Sequence, residues 1–247
     1  MILYPAIELS GGRCVSLRRG RVDAPQVWHR DPLEVACGYA AVGAEWLHLT
    51  DFDAMAGDLR NADVIDRILR TAGLNVQIGG GVRSFDRIAH WIDRGAARVV
   101  LGTVAVQAPD LVRRAAKYHP DQIVVAVDVR GGRVLTEGWT AQSAFAPETL
   151  LAQFRDDPLA AVLITDVDAD TGEAERSLGL IGGLARQTRH PVIASGLVRT
   201  AEDLSRLVHA GGVAGAVIGR ALFDRTLELA TALELAAPPG TPRATFL

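Results

Sequence analysis

The sequence predicts a single (β/α)8 TIM barrel built from two duplicated (β/α)4 half-barrels. Short apolar runs alternate along the chain with longer stretches of helical periodicity, and motifs of the first half return in the second. Such alternation is typical of parallel strands joined by crossover helices. The length of 247 residues suits one barrel of this type. We therefore expect one domain over residues 1–237 and a short proline-containing tail over 238–247.

Eight strands are expected, each a short apolar run that ends in a loop. They are Ile2–Ile7, Trp46–Leu49, Val76–Ile78, Arg98–Leu101, Ile123–Val127, Ala161–Ile164, Val192–Ala194 and Gly215–Ile218. Amphipathic helices are expected between them, for example at Pro32–Val42, Ala62–Thr71, Phe85–Arg94 and Leu111–Tyr118. No linker interrupts the alternation, which favours one domain.

An internal repeat indicates how the barrel is organised. The motif Ala6-Ile7-Glu8-Leu9 returns 120 residues later as Ala126-Val127-Asp128-Val129. The other matches are Gly11-Gly12-Arg13 with Gly131-Gly132-Arg133, Thr50-Asp51 with Thr165-Asp166, Gly80-Gly81-Val82-Arg83 with Gly196-Leu197-Val198-Arg199, and Gly102-Thr103 with Gly219-Arg220. Four strands map onto four strands, as expected for a barrel closed from two halves and not for an open sheet.

Composition limits the classes of partner and compartment. A net charge of −3 and a pI near 6.1 give no general attraction to nucleic acid or anionic membranes. The two cysteines, Cys14 and Cys37, form no CxxC pair and no metal-ligand cluster with histidine. No apolar stretch is long enough to span a membrane. We therefore expect a cytoplasmic protein without metal or cofactor, whose partner is a small molecule; the oligomeric state stays open.

Glycine-rich turns at the strand ends are candidates for phosphate binding, because the active site of such barrels lies at the C-terminal face. Backbone N–H groups of these turns can approach phosphate oxygens closely. The first half offers Gly79, Gly80, Gly81, Gly102 and Thr103, and the second offers Ser195, Gly196, Gly219 and Arg220. Two opposed sites suit a ligand with a phosphate at each end. The alternative is that the glycines only permit tight turns.

Carboxylates at the strand ends are the candidates for acid/base chemistry. Glu8 and Asp128 follow the duplicated first and fifth strands, Asp51 follows the second, and Asp170 lies in the loop after the sixth together with Thr165. The alternative is that these groups cap their own loops. The acidic run that begins at Thr165 lacks the glycine and glutamate of a calcium loop, so a metal role is not expected.

Trp139 lies in the loop after the fifth strand, near the expected mouth of the barrel. It could stack on a planar ring of the ligand or only pack within the loop. Both readings stay open from the sequence.

Taken in order, these motifs resemble the HisA-type isomerase family of histidine biosynthesis, within the HisA/HisF superfamily. The matching segments are Pro5-Ala6-Ile7, His48-Leu49-Thr50-Asp51, Gly79-Gly80-Gly81-Val82-Arg83, Leu101-Gly102-Thr103, Asp128-Val129, Gly138-Trp139, Thr165-Asp166, Pro191 to Gly196, and Gly219-Arg220-Ala221-Leu222. The resemblance covers nearly the whole chain.

The resemblance implies an Amadori rearrangement of the aminoaldose ProFAR to the aminoketose PRFAR, without metal or organic cofactor. Glu8 would be the base, Asp170 the acid, Thr165 a hydrogen-bonding helper and Asp128 a supporting carboxylate. The glycine turns would bind the two phosphates, and Arg83 and Arg176 are further possible substrate contacts.

Four departures from the family pattern fall at the site. The family has aspartate at the position of Glu8, and its second glycine of Ser-Gly-Gly is Leu197 here. The family's Asp-Gly-Thr is Asp170-Thr171-Gly172, and its Gly-Pro-Asn is Glu175-Arg176-Ser177. Two alternatives therefore remain: a diverged paralogue that binds a phosphorylated metabolite or a partner without this activity, and an isomerase for a singly phosphorylated substrate such as phosphoribosylanthranilate.

Overall fold

The structure, a computed structural model, describes residues 1–17, 24–169 and 174–238. Its strands are β1 (Ile2–Ser10), β2 (Arg13–Ser16), β3 (Gln26–Trp28), β4 (Trp46–Asp51), β5 (Asn75–Gly79), β6 (Arg98–Leu101), β7 (Ile123–Arg130), β8 (Arg133–Thr136), β9 (Ala141–Gln142), β10 (Ala161–Asp166), β11 (Val192–Ser195) and β12 (Gly215–Ile218). Its helices are α1 (Pro32–Ala41), α2 (Phe52–Met55), α3 (Ala62–Thr71), α4 (Phe85–Asp93), α5 (Thr103–Gln107), α6 (Pro109–Tyr118), α7 (Pro147–Gln153), α8 (Ala174–Ala185), α9 (Ala201–Ala210), α10 (Arg220–Phe223) and α11 (Leu229–Ala236).

Eight of the strands close into a parallel barrel. The order is β1, β4, β5, β6, β7, β10, β11 and β12, and β12 pairs with β1 again. Helices connect successive barrel strands, so the predicted (β/α)8 fold is confirmed. Within the described ranges, no helix is long and apolar enough to cross a membrane.

The pairing register shows the duplication directly. Glu8 pairs with Thr50, which pairs with Gly79, in the first half. Asp128 pairs with Thr165, which pairs with Ser195, in the second. Residues that match in the sequence repeat therefore occupy matching places in the barrel wall.

A β-hairpin follows the first strand of each half and makes that strand longer than predicted. β2 pairs with the end of β1, and β8 pairs with the end of β7. Glu8 and Asp128 therefore lie inside their strands, whereas we expected them immediately after the strands. Apolar runs did not reveal these extensions, because the added residues are held by hairpin pairing.

Two apolar layers stabilise the barrel. The larger layer lies between the strands and the surrounding helices, and the smaller one fills the barrel interior around Tyr4, Ala126 and Leu163. Trp46 packs against the interior layer, with its ring 5.4 Å from that of Tyr4. The interior is thus closed at the N-terminal end and leaves its opening at the other end.

Candidate active site

A cavity of about 510 Å³ opens at the C-terminal face of the barrel. Each barrel strand or the turn directly after it contributes one residue at its rim, in places that the repeat relates to one another. These residues are Glu8, Thr50, Gly79, Gly102, Asp128, Thr165, Ser195 and Gly219. The sequence analysis named all of them except Thr50 as site candidates. Within the described ranges, no three acidic, histidine or cysteine side chains cluster as metal ligands would.

Asp128 is held by two neighbours at the cavity wall. The side chains of Trp139 and Thr165 hydrogen-bond to its carboxyl group, and both bonds favour the ionised form. Enclosure by the protein outweighs them and raises the pKa of Asp128, although the residue keeps partial contact with the cavity. A carboxyl group with a raised pKa beside a cavity is a common feature of acid/base sites.

Trp139 lies at the cavity in an unusual backbone conformation. Its φ is 70°, and the preceding Glu137 and Gly138 also have positive φ values of 53° and 64°. Two non-glycine residues in this region are held there only by surrounding contacts. The indole is thereby brought to Asp128, so the tryptophan does more than pack within its loop.

The side of the cavity that contains Glu8 has a polar wall. Glu8 and Thr50 are paired neighbours, and the Thr50 hydroxyl lies 3.0 Å from Nε2 of His48, which also faces the cavity. His48 is buried, and burial lowers its pKa to about 4. Sequence reasoning missed both Thr50 and His48 as site residues. The two-residue alternation of a strand could have found them, since it puts both on one face of β4.

The glycine turn after β5 is shaped by a close backbone approach. Gly80 and Gly81 have φ values of 103° and 65°, and a Cβ on either would lie about 2 Å from a carbonyl oxygen of Asp51 or Ala54. Only glycine fits at these two positions, so packing explains their identity in full. Both nevertheless line the cavity.

Thr103 connects the first-half turns to the loop of Trp139. Its hydroxyl oxygen accepts a hydrogen bond from the backbone N–H of Glu137 at 2.8 Å. Thr103 begins the short helix α5 directly after Gly102 and lines the cavity. An anion bound at this turn would therefore lie next to the residue that fixes the tryptophan loop.

The second-half turn differs from the first. Ser195, Gly196 and Arg220 line the cavity, but Leu197 is only 2% exposed and packs into the outer apolar layer. The first-half turn has two consecutive glycines with positive φ, whereas here only Gly196 has one, at 82°.

Backbone donors near this turn are already engaged. The N–H groups of Arg199 and Thr200 donate to a carboxylate oxygen of Asp203 at 3.1 and 3.0 Å. Arg199 lines the cavity together with Arg220. Two positive side chains therefore line this end of the cavity, beside a turn in which two N–H groups are engaged.

Asp51 is not part of the cavity wall, in contrast to our expectation for a strand-end carboxylate. It is 2% exposed, accepts a hydrogen bond from the N–H of Ala54 at the start of α2, and accepts another from Asn61. Its function in the structure is to cap a helix. The strand ends two residues later than predicted from the apolar run, and its pleat turns Asp51 to the outer side.

The remaining predicted contacts lie in different places. Arg83 lines the cavity and donates to the carbonyl oxygen of Met55 at 3.0 Å. Arg176 is exposed near the start of α8 and lies outside the cavity lining. Asp170, the expected acid, lies outside the described residues.

Comparison with known proteins identifies relatives across almost the full length. A family model described as histidine biosynthesis protein matches residues 2–228. A protein of Ruegeria pomeroyi named 1-(5-phosphoribosyl)-5-((5-phosphoribosylamino)methylideneamino) imidazole-4-carboxamide isomerase 2 is 55% identical over 96% of both chains. A Ruegeria sp. protein named isomerase 1 of the same substrate is 50% identical over 100% of both chains. A Paracoccus denitrificans isomerase with the same substrate in its name is 46% identical over 96% of this chain and 100% of its own.

Proposed function

The chain belongs to the histidine biosynthesis protein family, and on that basis we propose that it is an isomerase that converts ProFAR to PRFAR by an Amadori rearrangement. The substrate in the relatives' names carries two phosphoribosyl groups. The observation that carries the proposal is a cavity in which the first strand of each half places a carboxylate, Glu8 in one and Asp128 in the other, between two opposed sets of turns.

The two ends of the substrate would be bound by the two halves of the barrel. The first-half turns at Gly79–Gly81, Gly102 and Thr103 offer backbone donors to one phosphate. At the other end, Ser195, Gly196, Gly219 and Arg220 would hold the second phosphate. The charge of Arg220 would add to the backbone donors of this turn, of which the N–H groups of Arg199 and Thr200 are engaged by Asp203.

The chemical steps need an acid and a base on opposite sides of the sugar. We assign Asp170 as the acid that protonates the ring oxygen, and Glu8 as the base that then removes the C2 proton from the resulting imine. Asp128 and Thr165 would orient the reacting part, and Trp139 would pack against a planar ring while its N–H fixes Asp128. The base is one methylene longer than the aspartate of the family, so the substrate must bind correspondingly farther from β1.

The direct test is turnover of ProFAR by the purified protein, together with complementation of a histidine auxotroph. We expect activity in both assays and a loss of at least about a hundredfold in kcat for Glu8→Gln. Asp51→Asn is the matched control, because it changes a carboxylate of the same barrel face that lies outside the cavity. No turnover and no complementation would overturn the proposal.

The second-half turn favours one alternative, an isomerase of a singly phosphorylated substrate. The N–H groups of Arg199 and Thr200 donate to Asp203 and are therefore not available to a phosphate, and Leu197 has a side chain where the first-half turn has Gly81. The same assay with phosphoribosylanthranilate decides between the two. A kcat/KM for that substrate above the value for ProFAR would favour the alternative.

We also propose a cytoplasmic location. Support comes from the two cysteines, Cys14 and Cys37, which are both free thiols.

A further inference from the structure

Directly below the cavity rim, the interior of the barrel is polar on one side only. The residue two positions before each rim residue lies on the same face of its strand. Its side chain therefore points into the barrel, one level below the rim. These residues are Ala6, His48, Gln77, Val100, Ala126, Leu163, Ile193 and Val217. Only His48 and Gln77 are polar, and they are neighbours on β4 and β5. In the second half, the repeat places Leu163 and Ile193 at the positions equivalent to His48 and Gln77. An apolar pair therefore fills the corresponding space in the same barrel.

The polar pair forms a directed chain of hydrogen bonds. The Gln77 amide nitrogen lies 2.8 Å from Nδ1 of His48, and Nε2 of His48 lies 3.0 Å from the Thr50 hydroxyl. Because burial keeps the imidazole neutral, it has one N–H donor and one acceptor nitrogen. Donation from Gln77 makes Nδ1 the acceptor, which leaves the proton on Nε2 and directs it to the Thr50 oxygen.

The orientation of Gln77 supports this direction. In the described part of the chain, its amide oxygen is buried without a hydrogen-bond partner, while its nitrogen is paired. The reverse orientation would leave the amide N–H groups without that acceptor, and buried N–H groups without partners are rarer than carbonyl oxygens without them.

Thr50 then has a hydroxyl hydrogen to donate, and its paired neighbour is Glu8. Both side chains line the cavity, and the register makes them counterparts of Thr165 and Asp128. In the second half, the threonine side chain does hydrogen-bond to the carboxylate. We infer that His48, fixed in its Nε2–H tautomer by Gln77, is a positioning residue that directs the Thr50 hydroxyl toward the Glu8 carboxylate. This inference rests on the proposed function of Glu8 as the base.

The first experiment replaces the polar pair by the chain's own apolar pair, as His48→Leu/Gln77→Ile. Because both members of the buried hydrogen-bonded pair are replaced together, neither His48 nor Gln77 is left without its partner. We therefore expect the variant to fold with unchanged or higher Tm. We expect kcat for ProFAR to fall roughly tenfold, the size of one hydrogen bond to a charged group, with KM within about twofold. The control is Ile193→Val, which removes one methylene group at the same level of the interior on the opposite side of the barrel. Its kcat should stay within about twofold of the wild type.

Thr50 variants test whether the effect passes through the hydroxyl. Thr50→Val should lower kcat by the same factor and cause no further loss in the double-variant background, whereas Thr50→Ser should restore most of it. Additive losses, or an unchanged kcat in the folded double variant, would overturn the inference while leaving the proposed function intact. Absence of turnover in the wild-type protein would overturn both.

A spectroscopic measurement tests the tautomer without turnover. Nitrogen-15 NMR of the histidine-labelled protein, with His48→Leu/Gln77→Ile to assign the signal, should show protonated Nε2 and unprotonated Nδ1 at pH 6 to 8. A proton on Nδ1 would reverse the chain of donors and overturn the inference.

Discussion

At Asp128, the chemistry of the site and the stability of the fold impose opposite demands. Enclosure raises the pKa of its carboxyl group, so the folded chain binds this proton more tightly than the unfolded chain does. The contribution of Asp128 to the free energy of unfolding is therefore most favourable at low pH. It decreases as the pH rises from the pKa of Asp128 in the unfolded chain to its higher pKa in the folded chain.

We predict that Asp128→Asn raises Tm at pH 7 and lowers kcat at least about a hundredfold. Asparagine keeps the shape and an acceptor for Trp139 or Thr165, and it has no charge to desolvate. The difference in Tm should shrink as the pH is lowered, because the wild-type carboxyl group then becomes protonated and loses its charge. A Tm below that of the wild type at pH 7 would show that the two hydrogen bonds outweigh the cost of enclosure.

Leu197 occupies the place where the first-half turn has Gly81, and its side chain packs into the outer apolar layer. Its side chain is buried, so Leu197→Gly should reduce the free energy of unfolding by about 3 kcal/mol or more, through lost packing and added backbone freedom. Urea denaturation measures this, and Leu197→Met, which keeps the volume, should cost less than about 1.5 kcal/mol. A negligible effect of the glycine variant would mean that the turn is free to adopt the two-glycine form of the first half.

At the scale of elements, Asn61 joins three segments near the first hairpin. Its amide nitrogen donates to Asp51 at 2.6 Å and to Asp53 at 2.8 Å, and its oxygen accepts from the N–H of Gly12 at 2.8 Å. Asn61 is completely buried, and its bond to Asp51 is buried with it, whereas the bonds to Asp53 and Gly12 are partly buried. The hairpin, the start of α2 and the start of α3 are therefore fixed to one another by one side chain.

We predict that Asn61→Ala lowers the free energy of unfolding by about 2–3 kcal/mol at pH 7, because the buried Asp51 carboxylate loses a donor. Burial already raises the pKa of Asp51 and the bond from Asn61 lowers it, so the variant's pKa should rise further. The loss of stability should thus be larger at pH 7 than at pH 4. Denaturation at both pH values measures it, and a loss independent of pH would contradict this origin.

The second half contains a matched control. Ser177 occupies the place equivalent to Asn61 and donates to Asp166 at 2.6 Å. Ser177→Ala removes a single bond and should cost about 1 kcal/mol.

The repeat and the alternation of elements were sufficient to predict the barrel, its two halves and most of the rim. Position at the end of an apolar run does not by itself tell which side of the strand faces the cavity. Asp51 was therefore chosen where Thr50 faces inward, since a single position changes the side of the strand. The extension that places Glu8 inside β1 depends on hairpin pairing with β2. The pattern of apolar residues does not indicate this pairing. The site roles that we propose for Glu8 and Asp170 remain predictions.

For the whole molecule, the two ends of the barrel have different tasks. At the N-terminal end, the Arg98 guanidinium lies 4.4 Å from the centre of the Trp46 ring and donates to the Tyr4 hydroxyl at 3.0 Å. These three side chains come from three strands and close the interior on that side. Residues at this end of such barrels serve stability, whereas those at the opposite end serve function.

We predict that Arg98→Met lowers the free energy of unfolding by about 1–2 kcal/mol, because it removes the cation–π contact and leaves the Tyr4 hydroxyl without its donor. Its kcat should stay within about twofold of the wild type, the opposite pattern to Asp128→Asn. Adding Tyr4→Phe should recover part of the lost stability, since the hydroxyl that lacks a donor is then absent. Urea denaturation and ProFAR turnover, measured on the same preparations, compare the two ends. If Arg98→Met lowered kcat as strongly as stability, the closed end would be coupled to the site and the division between the two faces would fail for this barrel.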